Sequence, residues 1–114
     1  MEWEFYVYIL TNSTKSTLYV GVTNNLMQRI VEHYLDRGKP KGFSTRCSCY
    51  YLLYYEEHMY INNAIAREKQ IKKWSRMKKE ELIKTKNPEF KFLNLELFGE
   101  WPPDERWVHR RTVD

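Results

Sequence analysis

The 114-residue sequence predicts an α+β domain, a small three-stranded antiparallel sheet flanked by helices in the order β-β-α-β-α-α. Three observations predict it. Residues 5–10 (FYVYIL) and 17–23 (TLYVGVT) are aromatic and β-branched runs joined by the polar stretch 11–16 (TNSTKS), the composition of a hairpin. Residues 50–56 (YYLLYYE) have the same strand-like composition. Between and after these runs, apolar residues recur at helical spacing, so helical stripes can cover the sheet.

The helices have recognisable ends. Asn24 or Asn25 caps the first, with Gln28 three residues after Asn25 in capping-box position. Leu26, Ile30 and Tyr34 form its inward face, and the helix stops near Gly38-Lys39-Pro40. A basic loop, residues 39–46, leads to the third strand. Asn62 or Asn63 then caps a helix running to about Trp74, and Ser75 caps another that ends before Asn87-Pro88. Residues 1–98 form the predicted domain, and 99–114, with Pro102-Pro103, a C-terminal tail.

Composition narrows the function. Hydrophobic residues make up 42% of the chain and aromatics 16%, too much apolar material for a disordered polymer. The net charge of +4 favours a polyanionic partner. No run approaches the roughly 20 apolar residues of a membrane helix, and the N-terminus is unlike a signal peptide. Cys47 and Cys49 would face the same way on a strand, which argues against a disulfide, and no second ligand pair suits structural zinc. A reducing, cytoplasmic setting is the expectation.

Glu68 is the most informative residue. At about 100° per residue it falls inside the stripe formed by Ile61, Ala64, Ile65 and Ile71. A bare carboxylate there costs several kcal/mol unless a cation or a metal answers it. A salt bridge, or a bend towards water at the core rim, would also satisfy it. On the first helix, Arg29 and His33 stand at i, i+4 beside the apolar stripe. The arginine fork suits phosphate oxygens, and a histidine can pass protons near neutral pH. On the strands, Tyr6 shares a face with Tyr8, and Tyr19 with Gly21. Lacking a Cβ, Gly21 can admit a ligand or another side chain.

These residues resemble the pattern of the GIY-YIG nuclease superfamily, specifically its small, stand-alone bacterial members. Tyr6-Val7-Tyr8 matches the first signature and Tyr19-Val20-Gly21 the second, followed by Arg29, His33 and, within AIAREKQIKKW, Glu68. The match spans about residues 4 to 93. The resemblance implies a metal-dependent endonuclease, with catalytic residues Tyr8, Tyr19, Arg29, His33 and Glu68. Glu68 would bind one divalent cation, Mg2+ or Mn2+, Arg29 would stabilise the phosphate, and Tyr19 or a neighbour would assist attack by water. DNA processing such as repair is the implied setting. Three departures stand out: Tyr6 replaces the namesake glycine, Val22 stands where some members carry a lysine, and neither Asn87 nor Asn94 clearly matches a late asparagine.

For the general base, Tyr19 and His33 compete, with Tyr8 as hydrogen-bond partner. A phenol with a reference pKa of about 10 needs a cation to lower it, whereas histidine titrates near neutrality. Between Arg67 and Lys79, seven basic residues face one acid. Beside a phosphodiester site such a run suggests a backbone-binding surface. Gly21, Arg46, Lys69, Lys72, Lys73 and Arg76 are the expected nucleic-acid contacts, with Lys39 and Lys41 extending the patch. Nothing in the run reads bases, so the expected substrate is nucleic acid, DNA first, chosen by shape rather than sequence. Trp101 and Trp107 suit docking on the core better than base stacking. The alternative is a non-catalytic nucleic-acid-binding module on the same scaffold.

Overall fold

A computed structural model describes residues 4–37 and 48–103 of the chain. Three strands, β1 (Phe5–Thr11), β2 (Leu18–Thr23) and β3 (Tyr51–His58), form one antiparallel sheet in the order β2-β1-β3. Among the described residues are four helices, α1 (Leu26–Leu35) between β2 and β3, then α2 (Ile61–Lys72), α3 (Arg76–Lys86) and the short α4 (Asn94–Phe98) after β3. The predicted α+β class and the order of the first six elements are those observed; α4 is an addition. It is a single five-residue turn, too short to leave a periodic signal.

The central strand β1 explains the layering. Val7 to Thr11 are buried without interruption, as expected where both faces of a strand are covered. Val7 and Ile9 pack on one face with Val20, Ala64, Ile71 and Ile83, so α2 and α3 cover that side. Tyr8 and Leu10 pack on the other with Leu26, Ile30 and Leu52, which brings α1 across. The register sets Tyr8 opposite Gly21 on one flank and Tyr55 on the other. Between β1 and β3 the pairing slips, with Ile9 opposite Tyr54 but Leu10 opposite Leu52, so Leu53 is an extra residue in the ladder.

Strand β3 lies at an edge, and its backbone groups need partners. Leu52 receives them on both sides: its N–H donates to Asn94 Oδ1 at 2.7 Å, and its carbonyl accepts from Leu93 N at 2.8 Å. Asn94 Nδ2 also donates to the Tyr50 carbonyl at 3.0 Å. Asn87 Nδ2 donates to the carbonyls of Leu53 and Lys91, each at 2.9 Å, while its Oδ1 accepts from Lys91 N at 3.1 Å. Both asparagines are buried and bonded to backbone, so they seal the sheet edge.

Helix ends hold one agreement and one correction. Asn25 caps α1 as expected, accepting from Gln28 N at 3.2 Å, and Ser75 caps α3 by accepting from Lys78 N at 3.2 Å. The N-cap of α2 is Tyr60, with no side-chain cap bond, rather than Asn62 or Asn63. Three apolar residues precede and enter that helix, so propensity alone misplaces its start.

Cys49 corrects another expectation. It is fully buried and disulfide-bonded, although the two-residue spacing argued against a bridge. That argument assumed an extended strand, whereas Ser48 has φ of 54°, a left-handed turn that breaks the alternation. Lys39, Lys41, Arg46, Cys47 and Trp107 lie outside the described residues. Among those described, no helix is long and apolar enough to cross a membrane. Trp101 packs against Tyr34, with ring centroids 5.4 Å apart, and against Phe98 at 5.1 Å.

The edge seal gives a direct expectation. Asn87→Ala removes three buried hydrogen bonds and leaves backbone groups unmatched, so stability should fall by about 1–3 kcal/mol. A urea titration reads this as a lower midpoint at unchanged slope; a loss under about 0.5 kcal/mol would remove Asn87 from this role.

Candidate active site

The site is assembled around Tyr8. Its side chain is 1% exposed, and its ring lies across β2 at the position where Gly21 has no side chain. A Cβ on Gly21 would sit 2.4 Å from both Tyr8 Cζ and Tyr8 Oη. No real Cβ tolerates that approach. Of the two occupants expected beside Gly21, a ligand or another side chain, the structure shows the second: the ring of its cross-strand neighbour Tyr8 fills the space.

The Tyr8 hydroxyl then meets helix α1. It lies 3.2 Å from His33 Nε2, a buried hydrogen bond linking strand to helix. Tyr19 completes a trio of rings, with its centroid 5.3 Å from His33 and 6.5 Å from Tyr8. Arg29, one turn before His33, is 44% exposed and pairs with Glu32 at 3.0 Å, while its charge also reaches Tyr8. Glu68 comes from α2, whose buried residues are Ala64, Glu68 and Ile71, and its charge too acts on the Tyr8 hydroxyl. Tyr8, Tyr19 and His33 thus meet as rings with Arg29 one turn before His33 on α1, whereas Glu68 stands on α2, whose core residues pack on the opposite face of the sheet.

Environment sets the protonation states. Burial pushes the Tyr8 phenol up to about 12, with neighbouring Tyr19 and the Glu68 charge adding to the rise and Arg29 opposing it. Tyr8 therefore keeps its proton at neutral pH. Burial, and next the positive charge of Arg29, push His33 down to about 4, so its imidazole is neutral. Whichever tautomer is present, the bond to Tyr8 occupies Nε2, as acceptor or as donor.

Glu68 carries its own counter-ion. Its side chain is 11% exposed, and Lys72 Nζ, one turn along α2, lies 2.6 Å from Oε2. Among the described residues no group of three His, Cys, Asp or Glu gathers. Glu68 by itself offers one carboxylate, which fits a hard divalent cation that takes its other ligands from water and substrate oxygens.

The basic residues divide. Arg76 donates to the Ser16 and Lys15 carbonyls at 2.8 and 2.6 Å and to Glu80 at 2.7 Å, so its guanidinium clamps the β1–β2 turn to α3 instead of standing free for phosphate. Arg67 is held by Glu56, at 2.9 Å from Oε2. Burial alone would raise that carboxyl, but hydrogen bonds from Tyr54, Arg67 and His58 prevail and hold it below the usual carboxylate range. Lys69 on α2 and Lys73 at its C-cap are exposed. The sequence missed these structural duties of Arg67 and Arg76, since their partners lie on other elements.

His33 makes a pH prediction. Its folded pKa is depressed below the unfolded value near 6.5, so the unfolded chain binds the proton first as pH falls. Its contribution is intact above pH about 6.5 and is lost towards pH 4, on the order of 2 kcal/mol. Thermal melts between pH 4 and 7 should show this loss, and His33→Gln should flatten it; an unchanged slope would reject the assignment.

Comparison with known proteins gives this arrangement a lineage. A model of the GIY-YIG catalytic domain matches residues 4–81. A UPF0213 protein of Syntrophus aciditrophicus is 42% identical over 84 residues, covering 74% of this chain and 93% of that one. A UPF0213 protein of Natronomonas pharaonis is 35% identical over 83 residues, covering 73% and 94%. The solution NMR structure of a UPF0213 protein from Bacillus halodurans aligns over 76% of this chain and 89% of that one, at 26% identity and a TM-score of 0.48. On the domain match, which spans residues 4–81, the chain belongs to the GIY-YIG nuclease superfamily.

Proposed function

We propose that this protein is a metal-dependent endonuclease that hydrolyses phosphodiester bonds in DNA and selects its substrate by shape. The observation that carries the proposal is the meeting of strand and helix groups at Tyr8: its bond to His33 and its ring beside Tyr19, with Arg29 one turn before His33 on the same helix. Packing needs a buried aromatic at this position, but it needs neither a histidine nor an arginine beside it.

Each residue has a role in this mechanism. Tyr8 is a positioning residue: buried and protonated, it fixes His33 and the β2 backbone. Arg29 is half-exposed and permanently charged, and it faces the non-bridging oxygens of the scissile phosphate, where negative charge grows in the transition state. Tyr19 takes the proton of the attacking water. His33 is the weaker candidate for that task, because Nε2 is occupied and burial and the Arg29 charge depress its basicity. Glu68 would hold the divalent cation, which would supply positive charge for the developing negative charge of the reaction. Lys69 and Lys73 meet the phosphate backbone without reading sequence.

A cleavage screen tests the proposal. Purified protein with Mg2+ or Mn2+ is offered single-stranded, duplex and branched DNA, and RNA of matching shapes. Glu68→Ala should abolish cleavage, and Tyr19→Phe should lower kcat by about 10²–10⁴-fold, with a smaller loss for His33→Gln. Salt-sensitive binding that survives Glu68→Ala, with no cleavage of any substrate by wild type, would replace this reading with a non-catalytic binding module.

A further inference from the structure

We propose that Lys72 is the resident counter-ion of the Glu68 carboxylate and that a divalent cation must displace it, so that Lys72 sets the metal affinity of the site. This rests on the reading of Glu68 as the metal ligand and goes beyond it by naming a competitor within the same helix.

The argument begins with solvation. The Glu68 side chain is 11% exposed, among the buried residues Ala64 and Ile71, and cannot turn out to water without leaving the core. A carboxylate so placed needs a positive partner at all times. The nearby arginines have acids of their own: Arg29 pairs with Glu32, Arg67 with Glu56, and Arg76 with Glu80. Lys72 answers Glu68 at 2.6 Å, in the favourable order for an i,i+4 pair, with the acid nearer the helix N-terminus.

The two partners differ in freedom. The lysine side chain is 53% exposed, so its flexible stem can return the ammonium to water at small cost, whereas the carboxylate is fixed. An ammonium and a divalent cation on one carboxylate repel each other, and the first arrival occupies Oε2. Among the described residues no group of three acidic, histidine or cysteine ligands gathers, so Glu68 is not part of a larger acidic cluster that could hold both cations. Metal entry therefore exchanges one cation for another. Lys72 keeps the carboxylate solvated in the empty protein and weakens the hold on metal when metal arrives.

The test uses nucleic-acid-free protein and Mn2+ alone, with the electron paramagnetic resonance signal of free Mn2+ as readout. Lys72→Met should bind Mn2+ roughly three- to tenfold more tightly than wild type, while Lys72→Arg should stay within about twofold. Lys84→Met is the control for net charge, because Lys84 sits on α3 over the Phe90 ring and away from Glu68; it should also stay within about twofold. Melting temperatures add a second readout: Lys72→Met should melt lower without metal and gain more on adding Mn2+ than wild type does.

If Lys72→Met binds Mn2+ no more tightly than Lys84→Met while Glu68→Gln loses binding, Lys72 is no competitor, and the assignment of Glu68 stands. If Glu68→Gln binds Mn2+ as wild type does, or no variant binds it, the assignment of Glu68 fails and the proposal fails with it.

Discussion

The contact on which the site depends is the Tyr8 ring lying in the space left by Gly21. It is a steric fact before it is a chemical one. A strand residue with any side chain at position 21 would push the ring away, since its Cβ would fall within 2.9 Å of three ring and hydroxyl atoms. The hydroxyl is then carried to His33 Nε2, which locks the orientation of α1 against the sheet. Arg29, one turn earlier on the same helix, inherits its position from that lock. A cross-strand pair thus sets the placement of two α1 side chains, His33 against Tyr8 and Tyr19 and Arg29 one turn before it.

Glu68 arrives by a different route, and the sheet joins the two. Helix α2 packs on the face formed by Val7, Ile9 and Val20, opposite to the face that holds Tyr8 and α1. Its orientation is fixed by Ala64 and Ile71 in the core and by Arg67, which reaches back to Glu56 on β3. Arg76 adds a tie at the far end by holding the hairpin turn. The seal of Asn87, Leu93 and Asn94 on β3 keeps the opposite edge of this thin sheet from pairing elsewhere.

Much of this was legible in the sequence, for reasons that differ by residue. The strands and helix stripes were readable because burial imposes periodicity, and Glu68 stood out because it violated that periodicity. Five site residues were named from a resemblance whose elements are local and ordered along the chain. What could not be read depended on contacts between distant residues. Gly21 looked open to a ligand or another side chain, since only the strand register reveals that Tyr8 fills it. Asn87 and Asn94 matched no late asparagine of the family clearly, and their bonds to the edge of β3 could not be read from the sequence. Arg76 looked like a free cation because its carbonyl partners lie about sixty residues earlier. Tyr60 caps α2 against propensity, and the Ser48 turn invalidated the strand geometry assumed around Cys49.

The placement of Glu68 also separates function from stability. Replacing a buried ion pair by apolar side chains of similar size is often neutral or stabilising, because desolvating two charges costs as much as their attraction returns. The neighbouring stripe positions, Ala64 and Ile71, are both 0% exposed, so a leucine at 68 would join an existing apolar surface. The fold has no need of a carboxylate there. The same holds for His33, buried in a neutral form at a cost that grows as pH falls, where an apolar residue would carry no such penalty. These are two departures from the cheaper packing solution, one from each layer of the sheet, and on the proposed reading they are what a site selected for its chemistry leaves in a core otherwise built for packing.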